Sequence, residues 1–124
     1  MVWLRTALFL LLVEEAEKLN CKVIYDSKKK INFNPNMSIT IPLSTTQENV
    51  YAFAHEIGHC IDFVNDDLDY EKWLNDWSYR ITAEMSAWVH AYKILKKLNV
   101  PLDGWKDHVD SKLSTYFKYH EVIA

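Results

Sequence analysis

The chain has 124 residues, a net charge of −3, two cysteines and a hydrophobic fraction of 49%. A chain of this length can bury a core without disulfides, so residues 1–124 are expected to form a single domain. The slightly acidic balance gives no reason to expect nucleic-acid binding, and the lysines at residues 28–30 are typical of a solvated turn. Two cysteines, Cys21 and Cys60, are too few for a disulfide framework, which favours buried thiols and a cytoplasmic location.

An apolar run near the N-terminus predicts a first helix over residues 2–19 that ends at Asn20. The run covers only residues 7–13, whereas a membrane span needs about 20. It also lacks the cleavage-site pattern of a signal peptide, so we expect a packed helix and no membrane association. The residues expected to face the core are Leu4, Leu8, Leu11, Leu12 and Leu19.

The chain then changes to a β-type pattern with three short strands, at residues 22–25, 30–33 and 38–42. The polar turn at residues 26–29 predicts that the first two strands form a hairpin. Pro42 predicts that the third strand lies near an edge, because proline removes a donor from the ladder.

A second helix is predicted to begin at Thr45, which forms a capping box with Glu48. Its apolar residues recur at intervals of three and four and predict a buried stripe. The stripe consists of Val50, Ala54, Ile57, Ile61 and Val64.

A polar connection at residues 65–69 leads into a long helical pattern over residues 70–98, with a break near residues 75–78. Asn99 and Pro101 end that helix. Asp103 is expected to cap a last helix that reaches about residue 119. Helix, three strands and further helices predict an α+β fold.

The second helix contains the sequence His55-Glu56-Ile57-Gly58-His59, an H-E-x-x-H motif. Residues four apart share one helix face, so His55 and His59 can present two imidazole nitrogens to one metal ion, with Glu56 at the edge of that face. A zinc hydrolase needs two such ligands and a nearby carboxylate. The two histidines lie off the predicted stripe, which favours ligands over the alternative of two core histidines in a helix without metal.

Glu84 is the predicted third ligand, because it falls inside the apolar stripe expected for the next long helix. That stripe consists of Ile81, Met85, Trp88, Tyr92 and Leu95. An unpaired carboxylate there would cost several kcal/mol, and a bound cation would remove that cost. The alternative is a salt bridge to Arg80, one turn earlier. A third histidine six residues after His59 is excluded, because that residue is Asn65.

Other residues with side chains that can bind metal are less well placed to be ligands. Asp62 and Asp66 are better placed to orient an imidazole ring than to bind metal. Cys60 points about 100° away from its neighbour His59 on the helix. The remaining histidines, His90, His108 and His120, lie in ordinary amphipathic settings.

Residues 51–59 together with the pattern Arg80-x-x-Ala83-Glu84-x-x-Ala87-Trp88 resemble small gluzincin-type metallopeptidases, most closely the ImmA/IrrE family, over residues 22–98. The resemblance implies a minimal zincin-like fold in which His55, His59 and Glu84 hold Zn²⁺ and Glu56 is the general base. It also implies a protein or peptide substrate, such as a regulator or repressor. The helix-turn-helix pattern that often accompanies this family is absent from the 124 residues.

The leading hypothesis is therefore a zinc-dependent metalloendopeptidase, in which the strand at residues 38–41 binds an extended peptide by strand addition. Tyr79, Tyr92 and His90 are candidates by residue type for stabilising the oxyanion.

Two other hypotheses remain. One is a catalytically silent zincin-fold interaction or inhibitor protein of phage type, with Tyr70, Trp73, Trp77 and Tyr79 as a specificity cleft or a partner-binding patch. The other is a closed structural zinc site, although such sites prefer cysteine ligands and need no Glu56.

Overall fold

A computed structural model describes residues 2–42, 44 and 46–123, with the side chains of residues 6–42, 44 and 46–117. Helices make up most of the described chain and pack against one small three-stranded sheet. The α+β prediction is confirmed. The helices are α1 (Val2–Lys18), α2 (Gln47–Val64), α3 (Tyr70–Asn75), α4 (Trp77–Lys97) and α5 (Trp105–Ile123). The strands are β1 (Lys22–Tyr25), β2 (Asn32–Asn34) and β3 (Ser38–Ile41).

Helix α1 ends where the sequence predicts. Asn20 adopts a left-handed conformation with φ 61°. The N–H groups of Asn20 and Cys21 donate to the carbonyls of Glu17 and Ala16, at 2.9 and 3.0 Å, which closes the helix end.

The predicted core face of α1 is only partly right. Leu12 is buried, but Leu11 is exposed, and Phe9 and Ala16 occupy the other buried positions. An uninterrupted apolar run does not reveal which face is inside, whereas residues 9, 12 and 16 share one face of a helix. The side chain of Leu4 lies outside the described residues.

The sheet has the order β1-β3-β2, which corrects two predictions. β1 pairs in parallel with β3, and β2 pairs antiparallel with β3, so the hairpin joins the second and third strands. β3 is therefore central and not at an edge, and all four of its residues are buried. Pro42 follows the last paired residue, so its missing N–H costs the ladder nothing.

Helix α2 begins one residue later than predicted. Its N-cap is Thr46, whose hydroxyl accepts from the N–H of Asn49 at 3.2 Å, while Thr45 lies outside the described residues. Of the predicted stripe, Val50, Ala54 and Ile57 are buried, Ile61 is half-buried and Val64 is exposed. The stripe therefore leaves the core at Val64, the last residue of α2, while Ile61 and Phe63 still pack against the core.

The predicted break between α3 and α4 is confirmed at Asp76, whose carboxylate accepts from the N–H of Tyr79 at 3.1 Å. The predicted stripe on α4 is wrong at Met85 and Tyr92, which are 52% and 43% exposed. The buried face consists of Ala83, Glu84, Ala87, Trp88, Ala91, Ile94 and Leu95. Small alanines occupy this face because α4 crosses α2 at very short range.

The C-terminal helix departs slightly from the prediction. Asn99 ends the preceding helix in a left-handed conformation with φ 57°, as expected. The first hydrogen bond of α5 is accepted by Gly104, one residue after the predicted cap Asp103, and α5 continues to Ile123. Across the described parts of the chain, none of the helices combines the length and apolarity that crossing a membrane requires.

The crossing of α2 and α4 generates a prediction at Gly58. A Cβ there would lie 2.3 Å from the carbonyl oxygen of Ala87, so Gly58→Ala must push the helices apart. We expect a loss of about 1–3 kcal/mol in the free energy of unfolding, measured by urea denaturation. Helix propensity alone would predict the opposite, an increase of about 1 kcal/mol in the free energy of unfolding, because alanine favours the helix more than glycine does. A variant at least as stable as the wild type would contradict the close crossing.

Candidate metal centre

Three buried side chains from two helices converge on one point. His55 and His59 lie one turn apart on α2, and Glu84 faces them from α4. Glu84 Oε2 lies 2.8 Å from His55 Nε2 and 3.1 Å from His59 Nε2. One ligand atom from each residue lies within 4.8 Å of the others, so this group could hold a metal ion. The structure thus brings together the three residues that the sequence proposes as ligands.

The contact between His55 and Glu84 is close without being a hydrogen bond. His55 Nε2 is fully buried and has no hydrogen-bond partner among the described residues, although Glu84 Oε2 is 2.8 Å away. Trp88 stacks on the other side of the His55 ring at 4.0 Å and fixes its plane. This arrangement fits a cation bound by both atoms.

The electrostatics of the group also favour a cation. Burial disfavours the charged form of His55, but the carboxylates of Glu56 and Glu84 outweigh it and raise the pKa of His55 to about 9. Burial likewise disfavours the charged form of Glu84, but the two imidazoles outweigh it and hold the pKa of Glu84 well below its ordinary value. The site therefore retains a buried carboxylate and favours positive charge next to it.

Glu84 is oriented by donors from two further helices. Trp73 Nε1 of α3 donates to Oε1 at 3.1 Å, and the hydroxyl of Tyr116 on α5 donates to Oε2 at 3.1 Å. Arg80 forms no salt bridge to Glu84, which removes the predicted alternative. Its Nε donates instead to the carbonyl of Trp73 at 2.9 Å, and its guanidinium lies 4.1 Å from the Trp73 ring centre. Arg80 thus acts on Glu84 through Trp73.

Glu56 lies beside the group and points to its open side. Its Oε2 accepts from the backbone N–H of Phe33 in β2 at 3.1 Å. Its Oε1 lies 3.6 Å from His55 Nδ1. The edge of the sheet therefore positions the carboxylate next to the three converging side chains.

The two aspartates do not orient the imidazoles of the metal-binding group. Asp62 is buried and pairs with His90 Nε2 at 2.9 Å, and Asp66 is exposed. His59 Nδ1 has no hydrogen-bond partner within the described part of the chain. The prediction that Asp62 or Asp66 fixes a ligand imidazole is therefore wrong.

The other candidate residues stay outside the group. His108 is half-buried and packs edge-on against Tyr51, and the side chain of His120 is not described. Cys60 is buried in the core beside Cys21, and this contact together with burial raises the pKa of the Cys21 thiol.

None of the three candidate oxyanion donors, Tyr79, Tyr92 and His90, contacts the metal-binding group. Tyr79 donates to the carbonyl of Asp67 at 3.2 Å, Tyr92 is exposed, and His90 pairs with Asp62. The residue that does reach it is Tyr116, which no sequence pattern indicates because it lies 32 residues after Glu84 on a separate helix.

Two cavities lead to the centre, and both are lined by Glu56 and Glu84. The smaller, of about 80 Å³, has aromatic and aliphatic walls that include Phe33, Tyr70 and Trp73. The larger, of about 470 Å³, includes His55 and Tyr116 and opens towards lysines.

The convergence of His55, His59 and Glu84 predicts that each chain binds one divalent metal ion. Isothermal titration with Zn²⁺ measures the stoichiometry and the affinity. Loss of an outer partner of a ligand typically costs 10–100-fold in metal affinity, so loss of a ligand itself should cost more. We therefore expect His59→Ala and Glu84→Ala to weaken binding by more than about 100-fold. His90→Gln and Glu71→Ala, a histidine and a carboxylate outside the group, should bind like the wild type. Equal affinity in Glu84→Ala would exclude Glu84 as a ligand.

No protein-family model matches this chain, and none of the curated proteins or solved structures is significantly similar to it. The assignment of the site therefore rests on its own geometry. The chain is an α+β protein with a buried His-His-Glu group that could hold a metal ion.

Proposed function

We propose that this chain is a zinc-dependent metalloendopeptidase with a minimal zincin-like fold of the kind found in the ImmA/IrrE family. The observation that carries the proposal is the position of Glu56. Its carboxylate adjoins the His55, His59 and Glu84 group and borders both cavities that lead there. A closed structural site needs no such carboxylate, whereas hydrolysis needs a base at this position.

Zinc is the metal that this donor set favours. Two imidazole nitrogens and one carboxylate oxygen form a common catalytic zinc set that leaves a coordination position open. Manganese, cobalt and nickel accept similar ligands, so the assignment to zinc rests on the preference of the donors.

The chemistry divides between the metal and the side chains around it. A zinc ion held by His55, His59 and Glu84 would supply Lewis acidity for the activation of water and of the scissile carbonyl. Glu56 takes the proton from the attacking water and passes it to the leaving amine. The hydrogen bond from Phe33 to Glu56 Oε2 keeps this carboxylate facing the cleft.

Tyr116 is the residue best positioned to stabilise the oxyanion. Its hydroxyl lies 3.1 Å from Glu84 Oε2, beside the point on which the ligand atoms converge. Burial and the charge of Glu84 raise the pKa of Tyr116 above its ordinary value, so the phenol keeps its single proton. That proton is donated to Glu84 in this structure, so the hydroxyl would have to turn from Glu84 to the oxyanion as negative charge develops there.

Of the two edge strands, β1 and β2, β2 is the one that contacts the site and could receive an extended peptide there. β3 pairs on both sides, so it cannot bind a peptide by strand addition as the sequence suggested. β2 pairs only with β3, and the N–H of Phe33 on its outer edge donates to Glu56. A substrate along this edge would therefore pass Glu56 and would have to share or replace that hydrogen bond. The substrate is a protein or peptide, and the unpaired thiols of Cys21 and Cys60 are typical of cytoplasmic proteins.

The alternative is a catalytically silent zincin-fold interaction protein. An exposed apolar groove between α4 and α5 favours this alternative, because such a surface can receive a partner. Its most exposed residues are Met85, Val89 and Tyr92. A protein that binds zinc but cleaves no peptide would support this function over the first.

The proposed base predicts that Glu56→Gln binds zinc normally but loses about 10²–10⁴-fold in kcat/KM, because the amide cannot accept the water proton. Activity is measured on a proteome-derived peptide library by counting new N-termini with mass spectrometry. Glu71→Gln, on the exposed face of α3, is the matched control. Wild-type turnover in Glu56→Gln would remove Glu56 from the mechanism, and absence of cleavage by zinc-loaded wild-type protein would contradict the peptidase.

The role of Tyr116 predicts a different kinetic pattern. Tyr116→Phe removes only the hydroxyl and is expected to lower kcat about 10²–10³-fold with KM nearly unchanged, because the hydrogen bond forms fully only in the transition state. Tyr92→Phe, on the exposed face of α4, should retain full activity. An unchanged kcat in Tyr116→Phe would assign the hydroxyl a purely structural role.

A further inference from the structure

The two cavities at the metal-binding group adjoin the same two carboxylates and differ in chemistry. Only Glu56 and Glu84 border both of them among the described residues. The smaller cavity is lined by Phe33, Leu68 and the stacked rings of Tyr70 and Trp73. A peptide that crosses the site would therefore leave an apolar environment on one side and enter the larger cavity on the other.

The larger cavity is bordered by three lysines from separate parts of the chain. Lys29 and Lys30 come from the turn between β1 and β2, and Lys112 comes from α5. All three are exposed, and none lies within ion-pair distance of a carboxylate among the residues whose side chains the structure describes. Three unpaired positive charges around one cavity favour an anionic occupant.

Glu56 and Glu84 also border this cavity, but the three lysines outnumber them, and a zinc ion at the centre would offset both carboxylates. Glu56 accepts a hydrogen bond from Phe33, and Glu84 is engaged by two histidines, Trp73 and Tyr116. Lys112 also borders a separate cavity that contains Glu48 and Asp107. Lys29 and Lys30 do not border that separate cavity, so they contribute most to the positive charge of the larger one.

We propose that the substrate is a peptide with an acidic segment on one side of the scissile bond, bound by Lys29, Lys30 and Lys112, and an apolar residue on the other side, bound against Tyr70 and Trp73. This inference rests on the proposed peptidase function and specifies its substrate class. The protein as a whole has a net charge of −3, so general attraction would not select an acidic peptide. Selection would have to come from the local lysines.

The test measures binding separately from cleavage. Zinc-loaded Glu56→Gln protein is titrated into fluorescently labelled peptides that contain Phe-Leu next to a block of three glutamates, in both orders. The matched peptides carry three lysines instead. We expect the acidic peptides to bind about tenfold more tightly in low salt, because each exposed ion pair contributes modestly. The preference should shrink in about 0.5 M NaCl.

A triple variant, Lys29→Glu/Lys30→Glu/Lys112→Glu, tests the role of the lysines. It is expected to lose or reverse the preference for acidic over basic peptides. The control Lys22→Glu/Lys93→Glu/Lys96→Glu makes the same change in net charge at exposed residues away from the cavity and should keep the preference. Circular dichroism verifies that both variants fold.

The outcomes separate the two proposals. Equal binding of acidic and basic peptides, no binding of either, or an equal effect of the two triple variants would overturn the acidic specificity. Cleavage of the library by wild-type protein without enrichment of acidic residues would also overturn it, while the peptidase function would stand. A lysine-dependent preference without any cleavage would overturn the peptidase function alone.

Discussion

The contact between α2 and α4 is the constraint on which the candidate metal centre depends. It brings the carboxylate of Glu84 to 2.8 and 3.1 Å from the two imidazoles. A buried carboxylate without compensation costs several kcal/mol, so this approach requires positive charge or hydrogen-bond donors around Glu84. Gly58 makes the approach possible, because any Cβ there would collide with the backbone of Ala87. The motif thus supplies two ligands and also the space for the third.

Three further elements, β2, α3 and α5, each contribute one contact to the two carboxylates. β2 donates to Glu56 through the N–H of Phe33, while Trp73 of α3 and Tyr116 of α5 donate to Glu84. Because these donors come from distant parts of the chain, the orientation of the site depends on the whole fold rather than on one helix. The same elements form the two cavities, which gives the cleft an apolar side and a basic side.

Sequence reasoning succeeded where local chemistry decides the structure. Asn20 and Asn99 end helices because asparagine tolerates the left-handed conformation, and helical spacing suffices to bring His55 and His59 to one face. It failed where long-range packing decides. The strand order and the contact of Tyr116 with Glu84 depend on tertiary contacts that no local pattern encodes. Glu84 is buried as expected, although on a face of alanines instead of the predicted apolar stripe.

X-ray absorption at the zinc edge of the zinc-loaded full chain tests the central claim most directly. A centre formed by His55, His59 and Glu84 is expected to show two imidazole nitrogens at about 2.0–2.1 Å and carboxylate or water oxygen at about 2.0–2.2 Å, with no sulfur bound to the metal. One imidazole contribution is also expected to disappear in His55→Ala. A sulfur shell at about 2.3 Å would mean that Cys21 or Cys60 binds the metal, and a shell of oxygens alone would mean surface binding. Either result would contradict a His55, His59 and Glu84 centre.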